Sequence, residues 1–285
     1  MQIAYATAAE SAALKLEDLN LRLRELLRGG LVVAFSGGVD STFLLWAAEE
    51  ERRRSGGKLL ALTTVSDSLA AVERDDVRRF IDEFEVDHIF VESNELLDPR
   101  YAVNDASRCF YCKTELFRIC REAAESNGYA SIAYGYNASD RGDIRPGHNA
   151  AIENGILSPL ADAQLTKSEI RDLMREHGLS IAEKPASPCL SSRLMTGVQI
   201  TPAKLREVDA IETILRDNGI KVFRVRFHEI EANKFLRIEV QPDEMERAFA
   251  LREQLTSAGR KLGFRWVTLD LAGYTTGGGN LQNHD

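Results

Sequence analysis

The residues best placed to do chemistry form one short motif, SGGVDS at residues 36–41. An apolar run at 31–36 predicts a buried strand, and the pattern after the motif predicts a helix. A glycine turn between a buried strand and a helix N-terminus presents backbone N–H groups to a phosphate. The motif lacks the Gly-Lys-Ser/Thr ending of a Walker loop. We expect phosphate contacts from four of its residues: Ser36, Gly37, Gly38 and Ser41.

The acidic residue of this motif, Asp40, has two possible roles. A carboxylate does not contact phosphate favourably, so Asp40 either binds Mg²⁺ or stabilises the helix start. Thr63 and Ser66 follow the next predicted strand, where adenosine binds in such sheets, and we expect them to contact the nucleotide. Strand ends also carry such residues for structural reasons. Three charged residues of a later loop either contact nucleotide or metal or form turns: Asp140, Asp143 and Arg145.

Three of the four cysteines could form a sulfur-based site. Cys109 and Cys112 begin a helical pattern, which places both thiols on one face near a helix N-terminus. Cys189 lies in a proline-flanked loop. Three thiolates can bind a [4Fe-4S] cluster and leave one iron open, whereas zinc normally requires a fourth protein ligand, and none stands at matching spacing. The alternative is that these cysteines are buried small hydrophobes, which is what we expect of Cys120.

A row of positive side chains lies on one face of a later predicted strand. Arg224, Arg226 and His228 alternate with apolar residues on the other face. Such a row can bind the phosphate or carboxylate of an anionic substrate. The alternative is a solvated sheet face in which Glu239 or Glu229 pairs with the arginines.

Alternating strands and helices must position these residues. Because strands and helices alternate, we predict an α/β domain over residues 1–200, with a parallel sheet covered by helices on both faces. A smaller α+β domain is predicted over 201–275 and a disordered tail over 276–285. The main elements expected are a helix at 8–28, strands at 31–36, 58–64, 87–91 and 131–135, a helix at 166–178, and, later, a helix at 243–258 and a strand near 265–271.

Length and composition describe a globular protein of 285 residues with a formal net charge of −8. This negative net charge counts against nucleic acid as a partner, since proteins that bind nucleic acid usually show a basic face. No apolar run is long enough to span a membrane, and no secretory signal is visible at the start, so we expect a cytoplasmic protein. Cysteines in that compartment favour metal, cluster or catalytic roles over disulfides.

The chemistry-bearing segments together resemble a known family. The motif at 36–41 resembles the PP-loop of the ATP pyrophosphatases, and nearly the whole chain resembles the LarE family of PP-loop sulfurtransferases. The resemblance is carried by residues 36–41, 108–113, 135–147, 158–160, 184–193 and 224–226. It implies an adenine nucleotide alpha hydrolase-like fold and a role in making the nickel-pincer nucleotide cofactor. ATP would adenylate a carboxylate of pyridinium-3,5-dicarboxylate mononucleotide; sulfur would then displace AMP, and a second cycle would convert the other carboxylate.

The resemblance also implies site residues and a sulfur source. Some family members give up the sulfur of the cysteine matching Cys189, whereas others add a C-x-x-C pair and carry sulfide on a [4Fe-4S] cluster. Because this chain has Cys109 and Cys112 as well, the cluster version is favoured. Gly135 is expected at the nucleotide, and Arg193 at the substrate together with the strand arginines. A homo-oligomer built on trimers is implied.

Three other functions fit part of the same pattern. A cluster-dependent tRNA thiolase shares the PP-loop, but it predicts a basic surface, and the net charge of −8 counts against it. An enzyme that transfers ammonia would have no use for three cysteines. A non-catalytic nucleotide-binding iron–sulfur or zinc sensor would bind ATP without releasing pyrophosphate.

Overall fold

The computed structural model describes residues 8–142, 146–185, 187–231 and 233–275. Asp143, Arg145 and the predicted tail at 276–285 lie outside the described residues. Contacts divide the chain into two compact units. The first comprises Met1–Val65, Ala71–Ser93 and Cys109–Ser187, and the second Ser66–Ala70, Asn94–Arg108 and Pro188–Asp285.

The first unit is built on a four-stranded parallel sheet with strand order β3-β2-β1-β4. Every residue of β1 is buried, as expected of a parallel strand covered on both faces. β1 pairs with β2 on one side and with β4 on the other, so its carboxyl end lies where the strand order reverses. The strands are β1 (Leu31–Ala34), β2 (Leu59–Val65), β3 (His88–Glu92) and β4 (Ser131–Tyr134).

Helices cover both faces of this sheet. Leu31 and Val33 of β1 pack into one apolar cluster, and Val32 and Ala34 pack into a second one on the opposite face. This alternation follows from the period of two along a strand. The helices are α1 (Ala8–Gly29), α2 (Val39–Ser55), α3 (Ala71–Phe84), α5 (Arg108–Asn127), α6 (Pro146–Glu153), α7 (Pro159–Asp162) and α8 (Lys167–Glu176), while α4 (Pro99–Ala102) belongs to the second unit.

Several local predictions for the first unit are confirmed. The four strands and the first helix occur within two residues of their predicted ends. Thr166 caps α8, and Glu169 completes the capping box with it, so this helix start is encoded locally. Cys120 lies fully buried in an apolar cluster, and burial raises the pKa of its thiol to about 12. It is a core residue, as predicted.

The second unit contains a three-stranded sheet of order β5-β6-β7. β5 (Phe223–Ile230) is antiparallel to β6 (Asn233–Val240), and β7 (Trp266–Leu269) is parallel to β6. Its longer helices are α9 (Pro202–Asp217), α10 (Met245–Ala250) and α11 (Arg252–Lys261). The apolar stripe on α9 is fully buried: Leu205, Val208, Ile211 and Leu215.

One helix of the second unit differs from the prediction. The expected helix at 243–258 is two helices separated at Leu251. The backbone N–H of Leu251 donates to the carbonyl of Ala248, three residues back, so the backbone forms a 3₁₀-type turn between the two helices. Across the described ranges, we find no helix with the length and apolar character needed to cross a membrane.

Candidate functional site

The motif at 36–41 connects β1 to α2, as the sequence predicts. Gly37 has a φ of 69°, and a Cβ there would lie 2.9 Å from Cγ2 of Val77, so both conformation and space require glycine. Gly38 is the N-cap of α2 and offers no side-chain cap. The first-turn N–H groups of α2 therefore have no acceptor within the helix, an arrangement that favours anion binding.

The two serines of the motif are bonded to each other. Their Oγ atoms are 3.1 Å apart, and Oγ of Ser41 donates to the carbonyl of Gly38 at 3.0 Å. Because each hydroxyl carries one hydrogen, Ser36 donates to Ser41 in this arrangement. Ser36 is exposed and Ser41 is buried, so the hydroxyl of Ser36 is the one accessible to a ligand.

Asp40 is tied to two elements far away in the sequence. Its carboxylate forms an ion pair with Lys167, the first residue of α8, and accepts a hydrogen bond from Asn137 Nδ2 at 3.2 Å. The lysine offsets the charge that would attract a cation. This pairing favours the helix-start role of Asp40, and its binding of Mg²⁺ stays a prediction.

Gly135 lies directly against the backbone of the motif. A Cβ at Gly135 would be 2.5 Å from the backbone nitrogen of Ser41 and 2.8 Å from its Cα. The chain after β4 can therefore approach the start of α2 only because this residue has no side chain. A close backbone approach accounts for glycine here, whether or not the residue also touches a nucleotide.

Lys184 is a further residue at the motif, which the sequence analysis did not assign to the site. Its Nζ donates to the carbonyl of Gly37 at 3.0 Å and contacts the carboxylates of Glu73 at 2.5 Å and Asp76 at 2.7 Å. The lysine therefore links the turn at 36–41 to α3. The only signal in the sequence was its position in the family-like segment 184–193.

Thr63 and Ser66 have hydroxyls that already bond within the protein. Thr63 is 2% exposed and donates to the carbonyl of Phe35 at 2.7 Å, so His88 Nε2, 2.9 Å away, donates to it. Burial lowers the pKa of His88 to about 4, which keeps this ring neutral. Ser66 donates to Glu95 at 2.5 Å, within the second unit. Adenosine contacts by Thr63 and Ser66 stay a prediction.

The C-x-x-C pair lies at the start of α5. Cys109 is exposed and Cys112 is half-buried, and neither forms a disulfide. Gly147 of α6 lies against this turn, since a Cβ there would be 3.5 Å from the carbonyl of Cys109 and 3.0 Å from Cγ of Lys113. The alternative that the pair is a buried apolar contact is wrong for Cys109.

Cys189 is exposed at the start of a short helical turn of the second unit. The backbone N–H of Leu190 donates to the carbonyl of Ser68 at 2.9 Å. The hydroxyls of Ser191 and Tyr101 lie 2.6 Å apart and are buried. The thiol is therefore accessible on a segment whose neighbouring residues are held in place.

The three arginines expected at the substrate are all buried, at 3% exposure for Arg193, 6% for Arg224 and 5% for Arg226. Arg193 pairs with Glu212, its Nε lying 2.8 Å from Oε1 and its Nη2 3.1 Å from Oε2. Arg226 pairs with Glu239 at 3.0 Å. The expected alternative is wrong about solvation, because these arginines are buried, but its pairing with Glu239 is present at Arg226. Substrate contact by these residues stays a prediction.

Arg224 differs from the other two in its surroundings. Its guanidinium donates to the carbonyl of Phe223 and lies 5.0 Å from the ring centre of Tyr274. Burial, and then the positive charge of Arg193, lower the pKa of Arg224 below its usual value. Tyr274 and Glu212 act in the opposite direction on this pKa, and binding of an anion by Arg224 stays a prediction.

Breaking the buried pair of Arg193 should strongly destabilise the protein. Replacing Arg193 with methionine leaves the carboxylate of Glu212 buried and uncompensated, so we expect a loss of about 3–5 kcal/mol in unfolding free energy. Urea unfolding measures it. The matched control is Arg206→Met, which removes an exposed pair with Asp67 and should cost at most about 1 kcal/mol. Equal losses of unfolding free energy in the two variants would show that the buried Arg193–Glu212 pair contributes no more to stability than an exposed pair.

The cysteines are divided between the units. Cys109 and Cys112 belong to the first unit and Cys189 to the second. Within the described ranges, no three His, Cys, Asp or Glu side chains are grouped so that they could hold a metal ion. The three-cysteine cluster stays a prediction.

Comparison with known proteins decides the family. No protein-family model matches the chain. A pyridinium-3,5-bisthiocarboxylic acid mononucleotide synthase of Lactiplantibacillus plantarum is 32% identical over 265 residues, which are 93% of each chain. The chain belongs to this synthase family. It is therefore an enzyme, and the family expected from the motifs is confirmed.

Two other relatives align with this chain over nearly the same length as the synthase does. An uncharacterised protein of Synechocystis sp. is 37% identical over 265 residues, 92% of this chain and 96% of the relative. An uncharacterised protein of Methanocaldococcus jannaschii is 24% identical over 268 residues, which are 91% of this chain and 97% of the relative. The similarity to these proteins therefore includes both units.

Proposed function

We propose that the chain is an ATP-dependent sulfur transferase of nickel-pincer nucleotide cofactor biosynthesis. It adenylates the carboxylates of pyridinium-3,5-dicarboxylate mononucleotide and converts them to thiocarboxylates. The observation that carries this proposal is the similarity, over nearly the whole chain, to a relative named for the bisthiocarboxylic acid product. The phosphate-binding geometry at 36–41 and the accessible thiols support it.

The nucleotide half of the reaction is assigned to the first unit. The N–H groups at the start of α2 and the hydroxyl of Ser36 would bind the phosphates of ATP, with Mg²⁺ as the counter-ion. A substrate carboxylate oxygen attacks the α-phosphorus, the bond to the β-phosphate oxygen breaks, and pyrophosphate leaves. A carboxylate is a poor electrophile, whereas the resulting acyl adenylate has AMP as a good leaving group.

The substrate half is assigned to the buried arginines of the second unit. A phosphorylated dicarboxylate is strongly anionic, and Arg224 is buried near the positive charge of Arg193. Guanidinium groups suit phosphate and carboxylate because their donors form a planar fork. Arg226 and Arg193 already hold Glu239 and Glu212, so we assign to them the role of orienting the site.

The sulfur is assigned to the three accessible cysteines, which fit an iron–sulfur cluster in donor type. Cys109 and Cys189 are exposed and Cys112 is half-buried, in contrast to the buried Cys120, and none of them forms a disulfide. When bound, a [4Fe-4S] cluster on three thiolates supplies a labile sulfide at its fourth iron. We propose that these three side chains would hold the cluster, which would supply the sulfur nucleophile that the acyl adenylate needs.

The alternative within the same function uses the sulfur of Cys189 itself. Its thiolate would attack the acyl adenylate, expel AMP and form a thioester. Loss of the Cα proton and cleavage of the Cβ–S bond would then release the thiocarboxylate and leave dehydroalanine. This alternative requires one Cys189 for each sulfur transferred, so the two sources differ in stoichiometry.

One experiment tests the function and separates the sulfur sources. Protein purified and reconstituted without oxygen is mixed with ATP, Mg²⁺ and the pyridinium dicarboxylate. We expect pyrophosphate release that requires the dicarboxylate, and thiocarboxylate detected by mass. Pyrophosphate release that does not depend on the dicarboxylate would exclude this function. ATP binding without pyrophosphate release would exclude it as well.

Iron and acid-labile sulfide are measured on the same protein, with a Cys109→Ala/Cys112→Ala variant as control. About four irons per chain, lost in the control, support the cluster. Absence of iron together with conversion of Cys189 to dehydroalanine after one turnover supports the alternative. Light scattering of the same sample tests the proposed homo-oligomer.

A further inference from the structure

The segment that follows Cys189 is bonded to the rest of the second unit at successive residues. Leu190 donates its N–H to Ser68, and Ser191 bonds through its hydroxyl to Tyr101. The carbonyl of Ser192 accepts a hydrogen bond from Arg226 Nη1 at 3.1 Å. A segment held at each residue keeps a small set of conformations, so the exposed Cys189 thiol is presented from a fixed backbone.

Arg108 adds a contact that the proposed function does not use. Its Nη1 donates to the carbonyl of Ser191 at 3.0 Å and to Oδ1 of Asn104. Asn104 is 1% exposed and donates through Nδ2 to the carbonyls of Met195 and Val198, at 2.9 Å each. Asn104 Nδ2 also contacts the carbonyl of Leu194 at 3.4 Å, so Arg108 and Asn104 together bond four carbonyls of the chain that follows Cys189.

Asn104 has a φ of 60°, in the left-handed region, where asparagine is one of the better tolerated residues. The surroundings hold this conformation because both ends of its amide are bonded. Ser191 is fully buried, so without Arg108 its carbonyl would lose a charged donor inside the protein. The contact is therefore costly to remove.

We propose that Arg108 is a positioning residue for sulfur transfer. It holds the peptide of Ser191, two residues after Cys189, and so fixes the direction in which the thiol is presented. Arg108 also directly precedes Cys109 in the chain. The proposal rests on the proposed function, since it assigns sulfur chemistry to these cysteines.

The test compares Arg108→Met with Arg118→Met, a matched change in the same helix. Arg118 forms exposed pairs with Glu115 and Glu122, so its loss removes an arginine from α5 without affecting the cysteine segment. Pyrophosphate release and thiocarboxylate formation are measured separately. For Arg108→Met we expect thiocarboxylate formation to fall at least about tenfold, because misplaced reacting groups lose rate steeply. Pyrophosphate release and the KM for ATP should change less than about twofold.

Amide hydrogen exchange gives a readout that does not depend on activity. Over residues 188–198, exchange should become at least about tenfold faster in Arg108→Met and stay unchanged in Arg118→Met. Arg108→Lys keeps the charge and one donor, so it should recover part of the protection and part of the sulfur transfer.

Three results would overturn the assignment of Arg108. These are thiocarboxylate formation at the wild-type rate in Arg108→Met, unchanged exchange at 188–198, and an equal loss of pyrophosphate release, which would indicate a general fold defect. If the wild-type protein forms no thiocarboxylate at all, the proposed function fails instead. Hydrogen exchange then still decides whether Arg108 holds the segment.

Discussion

Replacing Cys189 with serine is expected to lower thiocarboxylate formation at least about a thousandfold while pyrophosphate release continues. Both proposed sulfur sources need this thiol, one as a cluster ligand and the other as the sulfur itself. A serine hydroxyl is a far weaker acid and nucleophile than a thiol, so it replaces neither role. The substitution is nearly isosteric, and the neighbouring hydrogen bonds use the backbone of Cys189, so the segment should keep its structure.

The measurement follows both products of one reaction, thiocarboxylate by mass and pyrophosphate by a coupled assay. Cys120→Ala is the control, because Cys120 lies in the core and has no place in the chemistry. It should lower stability slightly and leave both products unchanged. Thiocarboxylate formed at the wild-type rate by Cys189→Ser would remove Cys189 from the mechanism.

Replacing Gly135 with alanine should weaken ATP binding at least about tenfold and destabilise the first unit. The added Cβ would lie 2.5 Å and 2.8 Å from backbone atoms of Ser41, closer than such atoms can pack. Neither contact can be relieved by moving a flexible side chain, so the start of α2 must shift. Forcing backbone to move in a packed region costs about 1–3 kcal/mol. The shift also displaces the N–H groups proposed to bind the phosphates.

The control is Gly142→Ala, where an added Cβ would have no atom within 4 Å. Calorimetry with a non-hydrolysable ATP analogue measures binding, and urea unfolding measures stability. We expect Gly142→Ala to match the wild type in both. Equal ATP affinity in Gly135→Ala and the wild type would show that the approach of Gly135 to Ser41 does not shape the phosphate site.

The elements of the first unit could be predicted because their signals are local. The apolar run before the motif at 36–41 is short and ends in a glycine turn, which favours a buried strand, and β1 is buried at every residue. The capping box of Thr166 and Glu169 specifies the start of α8 within four residues. The place of the motif, between β1 and α2, followed from these same signals.

The partners of the site residues could not be predicted, because they lie far apart in the sequence. Lys167 pairs with Asp40, and Lys184 reaches the carbonyl of Gly37. A lysine at a helix start or in a loop gives no local sign of which carboxylate or carbonyl it will contact. Arg108 is similar, since its acceptor on Ser191 is 83 positions later in the chain.

The alternation of β5 placed Arg224 and Arg226 on one face correctly, but alternation does not reveal what covers that face. The sequence left open whether these two arginines are solvated. The structure buries both and pairs Arg226 with Glu239. Burial depends on elements that pack from elsewhere in the chain. It also decides how strongly each charge acts, because charges interact more strongly away from water.

By itself, the sequence determined which residue types are available for chemistry: the glycines and serines of the turn at 36–41, a C-x-x-C pair with a third cysteine, and a row of arginines. These depend on residue type and short spacing, which the chain carries directly. Only the tertiary structure decided which side chains hold them. In the folded chain Lys167 forms an ion pair with Asp40. Lys184 donates a hydrogen bond to the Gly37 carbonyl, and Arg108 donates one to the Ser191 carbonyl. Such pairs form when folding brings distant segments together, and no local pattern encodes that event.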